Sequence, residues 1–476
     1  MARNTEIAYI AEKQINKAAM AKLSYQDSAF LRLESSRRPY HVGGLMILKL
    51  PEPTPRGYLR RLARLCGRLN EMWPILNKQL SDPEDLGRAQ WIPARNYDPA
   101  HHVHHYALPA PGRQSDLLQL VTSAHERTLD RSRPLWEIHL IEGLQGGQFA
   151  LYCKVHHALI DGVGALRMVD ALFSTSPTRR LRLEQAIPTA REHDAKVAIA
   201  RQLRGLVEGA KKQYTALPEL LTLLAHMGRD TLSGKTETMT LPFTAPRSIF
   251  NGEVDSRRCA AICDLPLNRV RSIGRRSGGT VNDVLLAVCG GALRAYLMDQ
   301  GALPRKSLIA GLPVSLKSSD ETEGNQLSFI LCPFFTDESN PKRRLERIVR
   351  STKKAKSELT GISTTASQEF ANMMLMPTVL LTLSGNATRV SPAVNAIFSN
   401  VPGSREKLYL DGAELQAMYP LSVVTDGMGI NLTVISYLNK LSFAITSCPT
   451  GQPGIERLDE YLKDSFRELA KSMRTG

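Results

Sequence analysis

The sequence contains no two cysteines at CxxC spacing. Its seven cysteines, Cys66, Cys153, Cys259, Cys263, Cys289, Cys332 and Cys448, are scattered and odd in number. No disulfide scaffold is expected, and free buried thiols in a reducing cytoplasm fit best. No window reaches ~18 apolar residues without interruption, so no transmembrane helix is expected. The nearest approach, residues 370–383, is too short, carries Pro377, and reads as a buried or interfacial helix. The first twenty residues lack the apolar core of a signal peptide. Aromatic residues make up only 6% of the chain and are not interleaved with its basic runs, so a stacking platform for nucleic acid is absent. Also missing are a GxSxG elbow, an HExxH helix and a GxxxxGK[ST] loop. There is no internal repeat and no low-complexity tract.

What is present is an ordinary globular composition, 42% hydrophobic and 22% charged, over 476 residues. At ~100–200 residues per domain this length suggests two or three domains. The formal charge of +15 favours a polyanionic partner: nucleic acid, an anionic membrane or a phosphate-rich cofactor.

Residues 23–176 read as mixed α/β. The run 41–50 (HVGGLMILKL) reads as a strand, 54–69 as an amphipathic helix with arginines on its polar face, and 117–129 as another helix. Two apolar-rich runs, 135–142 and 148–155, joined by a Leu-Gln-Gly-Gly turn, read as a β-hairpin, with a helix at 163–173 after it. Composition shifts over 178–246 to Arg, Lys, Ala and Leu, broken at Pro218. That stretch reads as a helical linker, with a membrane-facing basic amphipathic element as its functional alternative. Strands are then expected at 260–266, 307–314, 327–335, 413–418, 429–438 and 440–446, the last two in a tight hairpin at Asn439-Lys440. Helices are expected at 281–299, 341–359 and 455–473. The chain thus divides into 1–177, 178–246 and 247–476.

Two histidine clusters stand out among the 11 histidines. His101-His102-Val103-His104-His105 lies between Pro99 and Pro109 and alternates like an edge strand. No Cys, Asp or Glu follows at ligand spacing, so no metal site is assigned. His156-His157-Ala158-Leu159-Ile160-Asp161-Gly162 is more demanding, because an apolar strand runs straight into the two histidines and Asp161-Gly162 then turns the chain. A histidine at a strand end is held rigidly, and a neutral imidazole with a pKa of about 6.5 can take a proton near neutrality. The spacing leaves equally open a buried histidine pair that caps a strand. With no protein nucleophile in sight, a working histidine here would activate a substrate hydroxyl or amine directly, in a ternary complex.

HHxxxDG resembles the signature of the chloramphenicol-acetyltransferase-like superfamily, which includes peptide-synthetase condensation domains. The surrounding text is similar to the bacterial wax ester synthase/diacylglycerol acyltransferase family: residues 23–48 (LSYQDSAFLRLESSRRPYHVGGLMIL), 129–136 (LDRSRPLW), 279–285 (GTVNDVL), 399–403 (SNVPG) and 429–437 (GINLTVISY). The blocks follow the family's order along nearly the whole chain from Leu23. Residues 1–22 precede the usual start, and Ser404 stands where the family often has Pro. The DFGWG block of plant-type acyltransferases is missing.

The resemblance implies an α/β fold of two chloramphenicol-acetyltransferase-like domains with mixed sheets, joined by the helical linker, with a tunnel between them and the HHxxxDG loop midway. It implies acyl transfer from acyl-CoA to a long-chain alcohol or to diacylglycerol, with acyl-CoA as co-substrate and no bound cofactor or metal. His157 would be the general base and His156 its support. Asp161 would orient the loop and Gly162 would set its shape. Asn282 is a candidate oxyanion donor by its motif, the alternative being a structural cap on helix 281–299. Pro134, Leu135, Trp136 and Asp283 are structural parts of the motifs.

The basic surplus would hold CoA phosphates or dock to lipid. Helix 341–359, with Lys342, Arg343, Arg344, Arg347, Arg350, Lys353, Lys354 and Lys356, is either a solvated face or an anionic-membrane contact. Cytoplasmic placement is expected from the free thiols, and peripheral contact with the inner membrane or lipid inclusions from the water-insoluble substrates. Two other readings keep the same motif: a condensation-type enzyme using another acyl carrier, and a non-catalytic lipid-binding relative.

Overall fold

The computed structural model describes residues 21–160, 162–181, 218–230, 233, 237, 240–315 and 327–474. Its strands in chain order are β1 (Ala21–Lys22), β2 (His41–Lys49), β3 (Lys78–Leu80), β4 (Gln90–Pro93), β5 (Val103–Ala107), β6 (Trp136–Leu144), β7 (Gln148–His156) and β8 (Cys259–Pro266). They continue with β9 (Ile309–Ser315), β10 (Leu327–Pro333), β11 (Ala396–Val401), β12 (Tyr409–Leu410), β13 (Ala413–Leu421), β14 (Ile430–Tyr437) and β15 (Lys440–Ser447). The chain forms two compact units, Met1–Leu203 with Glu406–Met418, and Arg204–Arg405 with Tyr419–Gly476. A division into consecutive pieces at 177 and 246 does not contain that late return to the first unit. Of the expected linker, residues 218–230 are a helix and 182–217 lie outside the described residues.

The first unit rests on a six-stranded sheet, ordered β12-β13-β2-β7-β6-β5, beside a three-stranded one ordered β1-β4-β3. β5 runs parallel to β6, whereas β7 runs antiparallel to both of its neighbours, β2 and β6, so the large sheet is mixed as expected. β2 carries a glycine pair inside an otherwise apolar strand. At Gly43 the reason is close approach: a Cβ there would come within 2.4 Å of the Tyr152 ring. The returning segment turns at Asp411, whose carboxylate accepts from Arg61 Nη2 (2.9 Å) and from the Leu181 backbone N–H (3.1 Å). Tyr58 donates its hydroxyl to the Leu410 carbonyl (3.1 Å). Polar contacts therefore fasten this sequence-distant hairpin to the helix Tyr58–Cys66.

The second unit rests on a six-stranded sheet ordered β10-β9-β11-β14-β15-β8, with β11 parallel to both neighbours. Its core helix is Val281–Asp299, which is long and apolar enough to cross a membrane but is mostly buried inside the fold. An apolar helix of this kind is the expected outcome where a helix is covered on all sides by sheet and other helices. The helix Thr364–Leu383 contains Pro377 and changes character along its length. Phe370 and Met374 are buried, whereas Leu380 and Leu383 are 59% and 48% exposed. The basic helix Pro341–Thr360 is not a uniform cationic strip. Arg344 is buried, Arg350 is bidentate to Glu237 (2.6 and 2.8 Å), Arg347 meets Asp337 (3.2 Å), and Lys354 pairs with Asp230.

Candidate active site

The β6–β7 hairpin delivers the histidines. β7 is buried along most of its length and ends at His156, so the ring of His156 points to the same face as Lys154 and Tyr152 and is fully buried. His157 is the first residue past the strand and is half-buried. Three backbone bonds fix the turn: His156 N–H to Leu135 O (3.0 Å), His157 N–H to Tyr40 O (2.9 Å) and Leu159 N–H to His156 O (2.9 Å). The His156 ring takes part as well, because Ala158 N–H donates to its Nδ1 (3.0 Å). That acceptor role places the ring proton on Nε2. The His157 ring leans on Phe30, with centroids 4.7 Å apart at 45°. One histidine is thus locked into the fold and the other is presented from it. Asp161 lies outside the described residues, and Gly162 is the first residue of helix Gly162–Leu172.

The Pro134-Leu135-Trp136 block supports this turn from beneath. Leu135 and Trp136 are buried, and the carbonyl of Leu135 is the one that holds His156 N–H. Trp136 donates its indole N–H to Leu76 O (2.7 Å) and stacks on His102 at 4.6 Å. Of the first histidine cluster, His104 and His105 lie on β5, the outer strand of the sheet, while His101 and His102 belong to the short helical turn before it. His104 packs on His139 (4.9 Å), and His105 approaches Glu142 at 3.7 Å.

Sequence reasoning missed the polar layer below the histidines. The register sets His41 opposite His156 and Gly43 opposite Lys154, and sets Glu137 opposite Lys154 on the other side. Lys154, fully buried, donates to the carbonyls of Ala124 (3.0 Å) and Arg127 (2.6 Å) and lies 3.4 Å from Glu137 Oε2. His41 Nε2 donates to the His125 carbonyl (2.9 Å). The C-terminal end of helix Gln114–His125, with its unsatisfied carbonyls, is therefore closed by two side chains of the histidine sheet. Glu34 is the other missed residue, a carboxylate beside His156 with a side chain only 2% exposed. A glutamate at the C-terminal cap of a helix, where the macrodipole disfavours it, was the available signal.

Burial shifts these groups in ways that show in stability. His41 is held well below 6.5, first by its burial and then by the charges of His125, Lys154 and His156. It therefore stays neutral in the folded protein, while the unfolded chain takes up a proton below about pH 6.5. Its contribution is fully present above that pH and falls as pH drops, by about 1.4 kcal/mol per pH unit, until the folded value is reached. For Glu34, burial pushes the carboxyl up, but His156, the Tyr40 N–H and Arg131 together outweigh it and hold it below 4.5. That contribution is present above about pH 4.5 and is lost as pH falls through the depressed value. Thermal unfolding followed by tryptophan fluorescence is expected to show a falling midpoint below pH 6.5. His41→Gln should flatten that decline, and an unchanged slope in the variant would remove His41 as its source. The three tryptophans, Trp73, Trp91 and Trp136, are all buried in the first unit, so the signal reports on it selectively.

In the second unit, the cap of helix Val281–Asp299 is Thr280, in a capping box with Asp283. Asp283 accepts from the Thr280 N–H (2.6 Å) and hydroxyl (2.8 Å), and its other oxygen accepts from Thr352 (2.7 Å). Asn282 has no capping bond. It is exposed, and its amide oxygen accepts from Asn400 Nδ2 of the SNVPG block. The block's Gly403 is required by close approach, since a Cβ would come within 2.1 Å of the Ser436 carbonyl oxygen.

Known proteins match the chain along nearly its whole length. Residues 23–285 match the wax ester synthase/diacylglycerol acyltransferase catalytic domain, and residues 323–470 match the WS/DGAT C-terminal domain. The chain is 36% identical over 453 residues to a putative diacylglycerol O-acyltransferase of Mycobacterium tuberculosis, covering 94% of this chain and 99% of that one. It is 34% identical over 444 residues to the O-acyltransferase WSD of Acinetobacter baylyi, covering 93% and 95%. The solved wax ester synthase/diacylglycerol acyltransferase from Marinobacter aquaeolei VT8 superposes with a TM-score of 0.74 at 32% identity, covering 94% of this chain and 98% of that one. The starter condensation domain of rhizomide synthetase shares the fold at a TM-score of 0.58 and 14% identity, covering 96% and 95%. With both domains matched along nearly the full length, this chain belongs to the wax ester synthase/diacylglycerol acyltransferase family.

Proposed function

We propose that the protein transfers a fatty acyl group from acyl-CoA to the hydroxyl of a long-chain alcohol or of diacylglycerol, with His157 as general base. The observation that carries this reading is the division of labour in the turn: the buried ring of His156 holds the Ala158 N–H, while His157 is carried half-buried just past a rigid hairpin strand, against Phe30. A neutral imidazole takes the acceptor's hydroxyl proton as the oxygen bonds to the thioester carbonyl carbon. The carbon–sulfur bond then breaks, and the thiolate of CoA receives the proton back from His157. No covalent enzyme intermediate is required. Asn282, exposed and free of capping duty, suits a donor to the developing oxyanion.

Cytoplasmic placement with peripheral contact to a membrane or lipid inclusion is part of the same proposal. The exposed Leu380 and Leu383 support it more than the basic helix does, because three of that helix's cations are already paired with acidic residues. The test is thiol release from palmitoyl-CoA by the purified protein, with hexadecanol and a diacylglycerol supplied separately. Acceptor-dependent release is expected, and the ratio of the two rates names the preferred acceptor. Folded protein that releases no thiol with either would sink the reading.

A further inference from the structure

We propose that Glu34 is a positioning residue for acyl transfer, holding both histidines of the turn through two separate routes that start from one buried carboxylate. This rests on the reading of His157 as general base. Glu34 caps the C-terminal end of helix Tyr25–Leu33. A carboxylate there opposes the helix dipole, and burial makes its charge costlier still unless donors surround it. Donors do surround it. Tyr40 N–H donates to Oε1 (3.1 Å), and Arg131 Nε and Nη2 donate to Oε2 (3.2 and 3.1 Å). Arg131 Nη2 also donates to the Leu31 carbonyl (2.6 Å), which ties the guanidinium to the helix end.

The first route runs through the ring of His156. Its Nε2 lies 3.4 Å from Glu34 Oε1 and meets no other polar partner among the described residues. A carboxylate on that side selects the Nε2–H tautomer, so that Nδ1 is free to accept the Ala158 N–H. Ala158 directly follows His157, and this arm therefore pins the turn on its C-terminal side. The second route runs through the backbone of Tyr40. Its N–H is held by Glu34, and its carbonyl accepts the N–H of His157 (2.9 Å), which pins the turn on its N-terminal side. The same helix end adds Phe30, whose carbonyl accepts the Glu34 N–H (3.2 Å) and whose ring packs on that of His157. A general base must present its nitrogen within a few tenths of an ångström and a few degrees, and such tolerance comes from the groups behind it.

Glu34→Gln keeps the shape and removes the charge, and its amide cannot serve Arg131 and His156 as acceptor together. The variant is expected to lower kcat for acceptor-dependent thiol release about 10–100-fold, the factor set by one charge-assisted hydrogen bond. KM for acyl-CoA and acceptor should stay within about 2-fold, since a residue acting behind the base does not bind substrate. Glu34→Asp, which keeps the charge, should retain more activity than Glu34→Gln. The double variant Glu34→Gln/His156→Ala should lose less than the product of the single losses, because one route is shared. Folded fraction is read in parallel from tryptophan fluorescence. The proposal is overturned if Glu34→Gln has wild-type kcat, if its loss equals the loss of folded protein, or if the double variant is fully multiplicative. If instead His157→Ala is as active as wild type, the assignment of the base fails first and the proposal falls with it.

Discussion

Replacing His157 with alanine is expected to lower acceptor-dependent thiol release about 10²–10⁴-fold, the range general-base catalysis supplies. The unfolding midpoint should barely move. The ring of His157 is half-buried at the end of β7, and its backbone bond to Tyr40 O survives the substitution. His156→Ala makes the informative contrast. It deletes a fully buried ring that holds Ala158 N–H and neighbours Glu34, so it should lower both activity and stability. A buried donor left without its acceptor costs about 1–3 kcal/mol, and a cavity adds to that. Activity lost without stability at 157, and both lost at 156, would separate the reacting histidine from the supporting one. The reverse pattern would exchange their roles.

Replacing Lys154 with methionine is expected to be the most destabilising single change in the first unit. Its ammonium is fully buried against two helix-end carbonyls and Glu137. Burial presses its pKa downward, and Glu137 opposes that. Glu137 is itself held below 4.5, because His139 and Lys154 outweigh the upward push of burial. Methionine fills the space but leaves a carboxylate and two carbonyls facing an apolar thioether. Removing one member of a buried pair costs about 3–5 kcal/mol. Urea unfolding followed by tryptophan fluorescence should show the midpoint falling accordingly. The Lys154→Met/Glu137→Leu double variant should recover part of the loss by removing the stranded charge. A single variant as stable as wild type would mean that the helix end is satisfied by other means.

Much of the fold is legible in local pattern. The run HVGGLMILK forms β2 because its burial follows the strand pattern expected of it, and the Gly-rich turn after Leu144 closes the β6–β7 hairpin. Helix Val281–Asp299 falls at its expected bounds because Thr280 and Asp283 mark its start as a capping box. Two helices, Leu267–Arg276 and the first turns of Thr364–Leu383, were not separated from their surroundings by pattern. The first is short and carries four arginines. The second opens on polar residues, Thr364 and Thr365, ahead of its apolar run.

The candidate site divides in the same way. The sequence by itself pointed to the residues proposed to carry chemistry: two adjacent histidines behind an apolar strand, one of them expected to be a base from the family resemblance. It also determined the capping of helices and the turns, since those depend on neighbours within a few positions. Tertiary structure alone decided which histidine is buried, where the hairpin 409–418 returns, and what stands behind the base. His41, Lys154, Glu137, Arg131 and Glu34 come from three separate stretches of chain, and only strand register and helix docking bring their side chains within a few ångströms. A charge pairing across 100 residues leaves no periodicity in the sequence, because the distance that gives it energy exists only after folding.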